Sequence, residues 1–222
     1  ADFVDVKGYL KAESIYAESE ASAAASVMAA SRVGARAFTA TSSQGLWLMA
    51  EQIYDAGIRR LPLVMVNVNR TLGPPWNILL SHEDSLALRD IPWLQLYAAD
   101  AQEVLDSVIL GYKIAEQIYL PVMINLDGFY LSHASELVEI PPQKLVDEFL
   151  PPYKPLYPVD FEKFLVYEPS IDDDYSTEFR YILMETLEKK AKEVVKEAHL
   201  EFQNLFGRRY EAIEKYKMEN AK

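Results

Sequence analysis

The sequence predicts an α/β fold: a parallel sheet flanked by helices, followed by a Pro-rich strap and a long helix. Three observations predict it. Short apolar runs alternate with segments of helical period, the pattern of strands joined through right-handed crossovers. Two of the runs, LVMVNV at 63–68 and VMINL at 122–126, follow prolines and are apolar almost throughout, as strands covered on both faces are. Beyond residue 135 the pattern gives way to dense proline and then to one long apolar stripe. The expected units are an α/β domain over 1–135, an extended strap over 136–175 and a helical connector over 176–222.

Along the chain, residues 1–13 read as the tail of a helix and a loop, and 14–17 as a short buried strand. Residues 19–32 form an alanine-rich helix, since alanine favours helix and permits close packing, and Gly34 stops it. AFTAT at 37–41 is a strand. Residues 44–56 are one helix with Leu46, Met49, Ile53 and Ala56 on a single face. Residues 63–68 are a central strand. The stretch 70–90 is irregular, because Gly73-Pro74-Pro75 forbids regular structure. A strand at 94–98, an amphipathic helix at 101–117 and a strand at 122–126 complete the domain. The prolines of 140–169 suggest a strap lying over another surface. Residues 176–206 form a long helix whose apolar stripe needs a partner; Gly207 ends it, and a second charged helix runs to Lys222.

Composition narrows the function. With 222 residues, half of them hydrophobic and a quarter charged, the chain suits one domain with an appendage. No apolar run approaches bilayer length and no secretory leader is evident, so no membrane partner is expected. The absence of cysteine excludes a disulfide, a thiolate zinc site and an iron–sulfur cluster ligated by this chain, and fits a cytoplasmic setting. A formal charge of −12 repels phosphate backbones, so no nucleic acid is expected. His82, His133 and His199 lack metal-ligand spacing, so no metal site is expected in this chain; His199 is placed facing solvent on the long helix. Neither a Walker loop, nor GxGxxG, nor a GxSxG elbow occurs.

Ligands collect at the carboxyl ends of parallel strands. Glu18 and Glu20, then Thr41 to Gly45, Asn69-Arg70 and Asp127-Gly128 all follow strand candidates and should crowd that edge. Each has two readings. Glu18 and Glu20 either complement the dipole of a first helical turn or, partly shielded, meet a heterocycle nitrogen. Arg70 either pairs with an acid such as Asp84 or Asp90, or grips a substrate carboxylate with its planar fork. Ser42, Ser43, Gln44 and Gly45 form either an anion nest or an N-cap cluster.

Four separated stretches then carry a resemblance: ESEASAAASVMAASRVGARAFTATSSQGLWLM, LPLVMVNVNR, RDIPWLQLYAADAQEVLD and LPVMINLDGFYLSH. Together they resemble the alpha-subunit family of pyruvate:ferredoxin oxidoreductases, from about residue 3 to the end; FGRRYEAIEKY looks like that family's helical connector. The resemblance implies that residues 1–135 are a pyrimidine-binding domain for thiamine diphosphate. In the family, a glutamate at the start of the first helix hydrogen-bonds N1′ of the aminopyrimidine and favours the tautomer that deprotonates the thiazolium. Glu20 matches it better than Glu18. Arg70 matches the arginine that binds the substrate carboxylate, and Ser42, Ser43, Gln44, Gly45 and, more weakly, Asn77 would line the cofactor site. The implied reaction is oxidative decarboxylation of pyruvate to acetyl-CoA and carbon dioxide, or its reverse, with electrons passed to ferredoxin. Mg2+ with the diphosphate, the iron–sulfur clusters and coenzyme A would belong to other domains or subunits. The chain departs from the family in lacking the opening βα unit and its Thr-Pro turn. It also lacks a GDG…N motif, carries Ala21 where His is common, and has Gly73-Pro74 and Ser81 around Arg70. Another 2-oxo acid or oxalate, and a non-catalytic structural subunit, are therefore the alternatives.

Overall fold

The computed structural model describes residues 12–160, 162–163, 173–215 and 218. The helix tail expected at the amino terminus lies outside them for the most part. Four parallel strands, β1 (Phe38–Ser42), β2 (Val64–Asn69), β3 (Leu94–Tyr97) and β4 (Val122–Asp127), form one sheet in the order β1-β2-β4-β3. Helix α1 (Glu20–Arg32) precedes the sheet, and α2 (Gln44–Leu48) and α3 (Ala50–Ile58) link β1 to β2. The short α4 (Glu83–Leu86) lies before β3, and α5 (Ala101–Ile118) links β3 to β4. Then come α6 (Gln143–Phe149) and one long helix: α7 (Asp173–Glu185), a wider π-type turn at Thr186–Lys190, and α8 (Ala191–Phe206).

Local chemistry sets these boundaries. Ser19, in extended backbone, accepts from the Ser22 amide and starts α1, while Gly34 at φ 93 turns the chain away past its end. Asp100 caps α5 through the Glu103 amide at 2.8 Å. At the other end of α5, Tyr119 is left-handed, and Arg60 donates to the carbonyls of Ile118 (2.7 Å) and Tyr119 (3.3 Å).

Because side chains alternate across a strand, the sheet has two distinct faces. Val64, Val66, Val122, Ile124 and Leu126 pack with α5, α6 and α8. Met65 and Met123 pack on the other face with Leu46, Met49, Ile53 and Ala56. Those four form the face expected of 44–56, although the helix is broken at Met49. A periodic pattern reports which side is buried, not whether the axis runs straight.

Four expectations are corrected. Residues 14–17 are exposed coil, not a buried strand; Ile15 and Tyr16 find no strand to pair with among the described residues. The strap holds a helix, α6, because Pro142 occupies its N-cap position, where a missing N–H costs nothing, and Phe149 is completely buried against Phe202 and Phe206. Residues 208–215 are not helical. His199 is half-buried, and burial lowers its pKa from the ordinary histidine value.

The long helix finds its partner on α5 and α6, through Leu183, Ala191, Val194, Ala198 and Phe202. Asp106 of α5, fully buried, fastens the chain that follows. It takes Arg208 Nε at 2.5 Å and Nη2 at 2.9 Å, and the Tyr210 hydroxyl at 2.6 Å. Removing one member strands the other charge, so Arg208→Ala should lower the unfolding free energy by about 3 kcal/mol. Urea denaturation measures it, and an unchanged midpoint would mean that the pair is not formed in solution.

Candidate functional site

At the carboxyl ends of β2 and β4 the apolar pattern of one face turns polar. Asn67 and Asn69 follow Met65 at period two, and Asn125 follows Met123; all three asparagines are completely buried. Asn67 and Asn69 reach Asp84 of α4, which is also fully buried, and Asn125 Oδ1 accepts from Asn67 Nδ2 at 3.1 Å. One Asp84 oxygen accepts from Asn69 Nδ2 (2.7 Å) and the Ser85 amide (2.8 Å). The other accepts from the amides of Ser43 and Arg70 (3.2 Å each) and from Asn67 Nδ2 (3.3 Å). Among the described residues the carboxylate is therefore held by five donors and no cation. The order of charge and backbone matters here: the turn after β1 and the turn after β2 are clasped to the same anion.

That clasp settles the reading of the serine turn. Ser43 sits at the N-cap position of α2 but makes no cap hydrogen bond; its φ of 51 aims the amide at Asp84. The anion in the nest is the chain's own. Ser43 is fully buried, with its hydroxyl 2.5 Å from the Thr71 carbonyl and 2.9 Å from Gln44 Oε1, so it braces the edge from beneath. Ser42 Oγ donates to the Val68 carbonyl at 2.8 Å and ties β1 to β2. Gln44 donates to the Leu72 carbonyl and accepts from Arg70 Nη2 at 3.3 Å.

Arg70 is half-buried, and among the described residues its guanidinium meets neither Asp84 nor Asp90. Asp84 is occupied by amides, and Asp90 lies beside Arg89. The surface-pair reading thus has no support, and most of the fork remains available for an anion. Glu20 stands on the other side of the same turn. A Cβ at position 45 would lie 2.6 Å from Thr41 Oγ1 and 2.9 Å from Glu20 Oε1. Only glycine lets the glutamate approach the turn this closely. Thr41 Oγ1 is buried without a partner. No hydrogen bond to the Glu20 carboxylate is present among the described residues; a carboxylate and an orphaned hydroxyl therefore face one another over a glycine, a cradle for a polar group brought from outside. Glu20 is exposed here, not partly shielded as expected, because no described segment covers it. Glu18 is exposed and stands before the helix cap. Asn77 is exposed in the loop after Arg70, and its Oδ1 accepts from the Leu79 amide at 2.8 Å.

The structure thus brings Glu20, Gln44, Gly45 and Arg70 together, sets Ser42 and Ser43 beneath them, and leaves Glu18 and Asn77 at the margin. Sequence reading set Thr41 and Asn69 at this edge without a role, took Asp84 only as an acid that Arg70 could pair with, and missed Asn67 and Asn125. The signal was present: VNVN and INLD place polar residues at period two inside strands otherwise buried. At the rim, His82 Nε2 lies 3.2 Å from Asp127 Oδ1. Among the described residues no cluster of His, Asp and Glu suits a metal ion, and no helix is long and apolar enough to cross a membrane.

A family model described as pyruvate flavodoxin/ferredoxin oxidoreductase, thiamine diP-bdg, matches residues 3–199. Over 212 residues the chain is 48% identical to the ketoisovalerate oxidoreductase subunit VorA of Pyrococcus horikoshii, covering 95% of this chain and 53% of that protein. Over 216 residues it is 44% identical to the pyruvate synthase subunit PorA of Methanothermobacter thermautotrophicus, covering 96% of this chain and 56% of that protein. A solved structure, of a 2-oxoglutarate:ferredoxin oxidoreductase from Magnetococcus marinus, matches at 28% identity with a TM-score of 0.46, over 50% of this chain and 20% of that chain. The chain spans about half the length of the curated relatives it matches.

Proposed function

This chain belongs to the thiamine-diphosphate-binding family of pyruvate flavodoxin/ferredoxin oxidoreductases, and from that premise we propose that it supplies the pyrimidine side of the active site in a multi-subunit 2-oxoacid:ferredoxin oxidoreductase. The observation that carries the proposal is the approach of the Glu20 carboxylate to Gly45, on the same turn whose Gln44 accepts from Arg70.

The residues fit the cofactor. Glu20 offers an unengaged carboxylate to N1′ of an aminopyrimidine, and Thr41 offers an orphaned hydroxyl. The bound cofactor supplies the carbanion chemistry; the chain supplies orientation and control of its protonation. A subunit that covers Glu20 would exclude water and strengthen that hydrogen bond. Mg2+ with the diphosphate, the iron–sulfur clusters and coenzyme A are assigned to that subunit and its neighbours. Ferredoxin would take electrons from the clusters.

Arg70 holds the substrate carboxylate. Gln44 braces its Nη2 and the Asp84 clasp fixes its backbone, which leaves the fork pre-organised for two parallel hydrogen bonds. Pyruvate is the proposed substrate. A branched 2-oxo acid is the second reading, favoured by the 48% identity to a ketoisovalerate oxidoreductase subunit. Turnover of the two acids by the assembled complex, compared as kcat/KM, decides between them. Arg70→Lys tests the site itself: an ammonium cannot reproduce the fork, so KM for the 2-oxo acid should rise about tenfold or more, with a smaller change in kcat. An unaltered KM would remove Arg70 from the site.

A further inference from the structure

At the opposite edge of the sheet lies a cavity of about 830 Å3. Its walls include Leu61 and Pro62, just before β2, and Ile118 and Tyr119, just before β4. It is therefore at the amino ends of the strands, remote from Glu20 and Arg70. The chain carries 34 acidic and 22 basic residues, so a cavity lined at random would gather more acids than bases. This one is lined by Arg32, Arg59, Arg60, Arg180 and Lys190, and by no carboxylate among the described residues. The cations converge from separate elements: Arg32 ends α1, Arg59 and Arg60 follow α3, and Arg180 and Lys190 come from the long helix. Asp55 neutralises part of this charge through Arg59 Nε at 2.6 Å, and Arg60 is bound to uncharged carbonyls. Even with Arg32 left out of the count, Arg180 and Lys190 leave positive charge in excess among the described residues. Burial lowers the pKa of Arg32 and of Arg60, and the neighbouring Arg59 lowers that of Arg32 further. Tyr54, Tyr153 and Tyr157 also line the cavity.

We infer that this cavity binds a multiply phosphorylated small molecule carrying a planar ring, with the arginines and Lys190 on the phosphates and the tyrosines on the ring. Arginine forks match phosphate oxygens bidentately, and tyrosine supplies a rigid flat surface for an aromatic ring. The volume falls within the few-hundred to thousand Å3 range of small-molecule sites.

ATP without added metal is a suitable probe, titrated calorimetrically into the chain at low salt. Saturable one-to-one binding is expected, weakening as salt is raised. Arg180 and Lys190 are exposed helix positions, so Arg180→Glu with Lys190→Glu should keep the fold, checked by circular dichroism, and weaken ATP binding at least about tenfold. Inorganic pyrophosphate, lacking the ring, and adenosine, lacking the charge, should each bind at least about tenfold more weakly than ATP. Glu20→Ala should leave ATP affinity unchanged, which separates this cavity from the carboxyl edge. No saturable binding, an affinity indifferent to the double charge reversal, or pyrophosphate binding as tightly as ATP would each overturn the inference.

Discussion

Replacing Glu20 by alanine in the assembled oxidoreductase should lower 2-oxo acid turnover by about a hundred- to ten-thousand-fold, the range expected when a group that controls a proton is lost. The variant should fold and assemble. Glu20 is exposed, and the N-cap function of α1 is performed by Ser19, so the truncation removes only a first-turn acid. Such an acid contributes about 0.3–1 kcal/mol through the helix dipole. The two readings of Glu20 therefore separate cleanly. A dipole residue gives a small loss of stability and normal turnover; a cofactor residue gives the same small loss and a collapse of turnover. Glu18→Ala is the internal control. It stands ahead of the cap, away from Gly45, and should leave turnover within about twofold.

The second large effect is predicted at Asp84. Five donors converge on this buried carboxylate, two of them the amides of Ser43 and Arg70. Alanine leaves those donors without acceptors in a dry interior. At roughly 1–3 kcal/mol for each unsatisfied group, partly relieved by entering water, Asp84→Ala should lose about 4 kcal/mol or more. Asp84→Asn keeps the shape but turns an NH2 toward N–H donors, and should lose about 2–3 kcal/mol. Chemical denaturation gives the totals. Hydrogen exchange gives the location: in the Asn variant the amides of Ser43 and Arg70 should lose protection before the strand amides of β4 do. Full stability in both variants would show that the clasp does not hold the two turns together.

The sequence displayed much of the fold because most elements announce themselves locally. Ser19 and the alanines of α1, Asp100 at the start of α5, and the apolar runs of β2 and β4 each carry their own signal. The failures share a cause: the deciding interaction lies far along the chain. Pro142 reads equally as a strap residue or a helix start, and the burial of Phe149 against Phe202 and Phe206 selects the helix. Residues 14–17 have strand-like side chains but, among the described residues, no neighbour to pair with. In the site, Gly45 and Arg70 were legible as residues following strands; Glu20 was placed there through a strand at 14–17 that does not form, and it reaches the edge as the first residue of α1. The role of Asp84 was not legible, since it stands in a loop that looks acidic and solvated, and its donors come from β2, from the turn after β1 and from its own helix. Its importance comes from tertiary convergence, which no local window contains.

The claim on which the rest depends is that Glu20 controls the protonation of the cofactor. The rate at which the C2 proton of bound thiamine diphosphate exchanges with solvent reports on this alone, before substrate, electrons or coenzyme A are involved. In the assembled complex, Glu20→Ala should slow that exchange about a hundredfold or more while cofactor occupancy stays complete. Exchange at the unaltered rate, with the cofactor fully bound, would contradict the assignment.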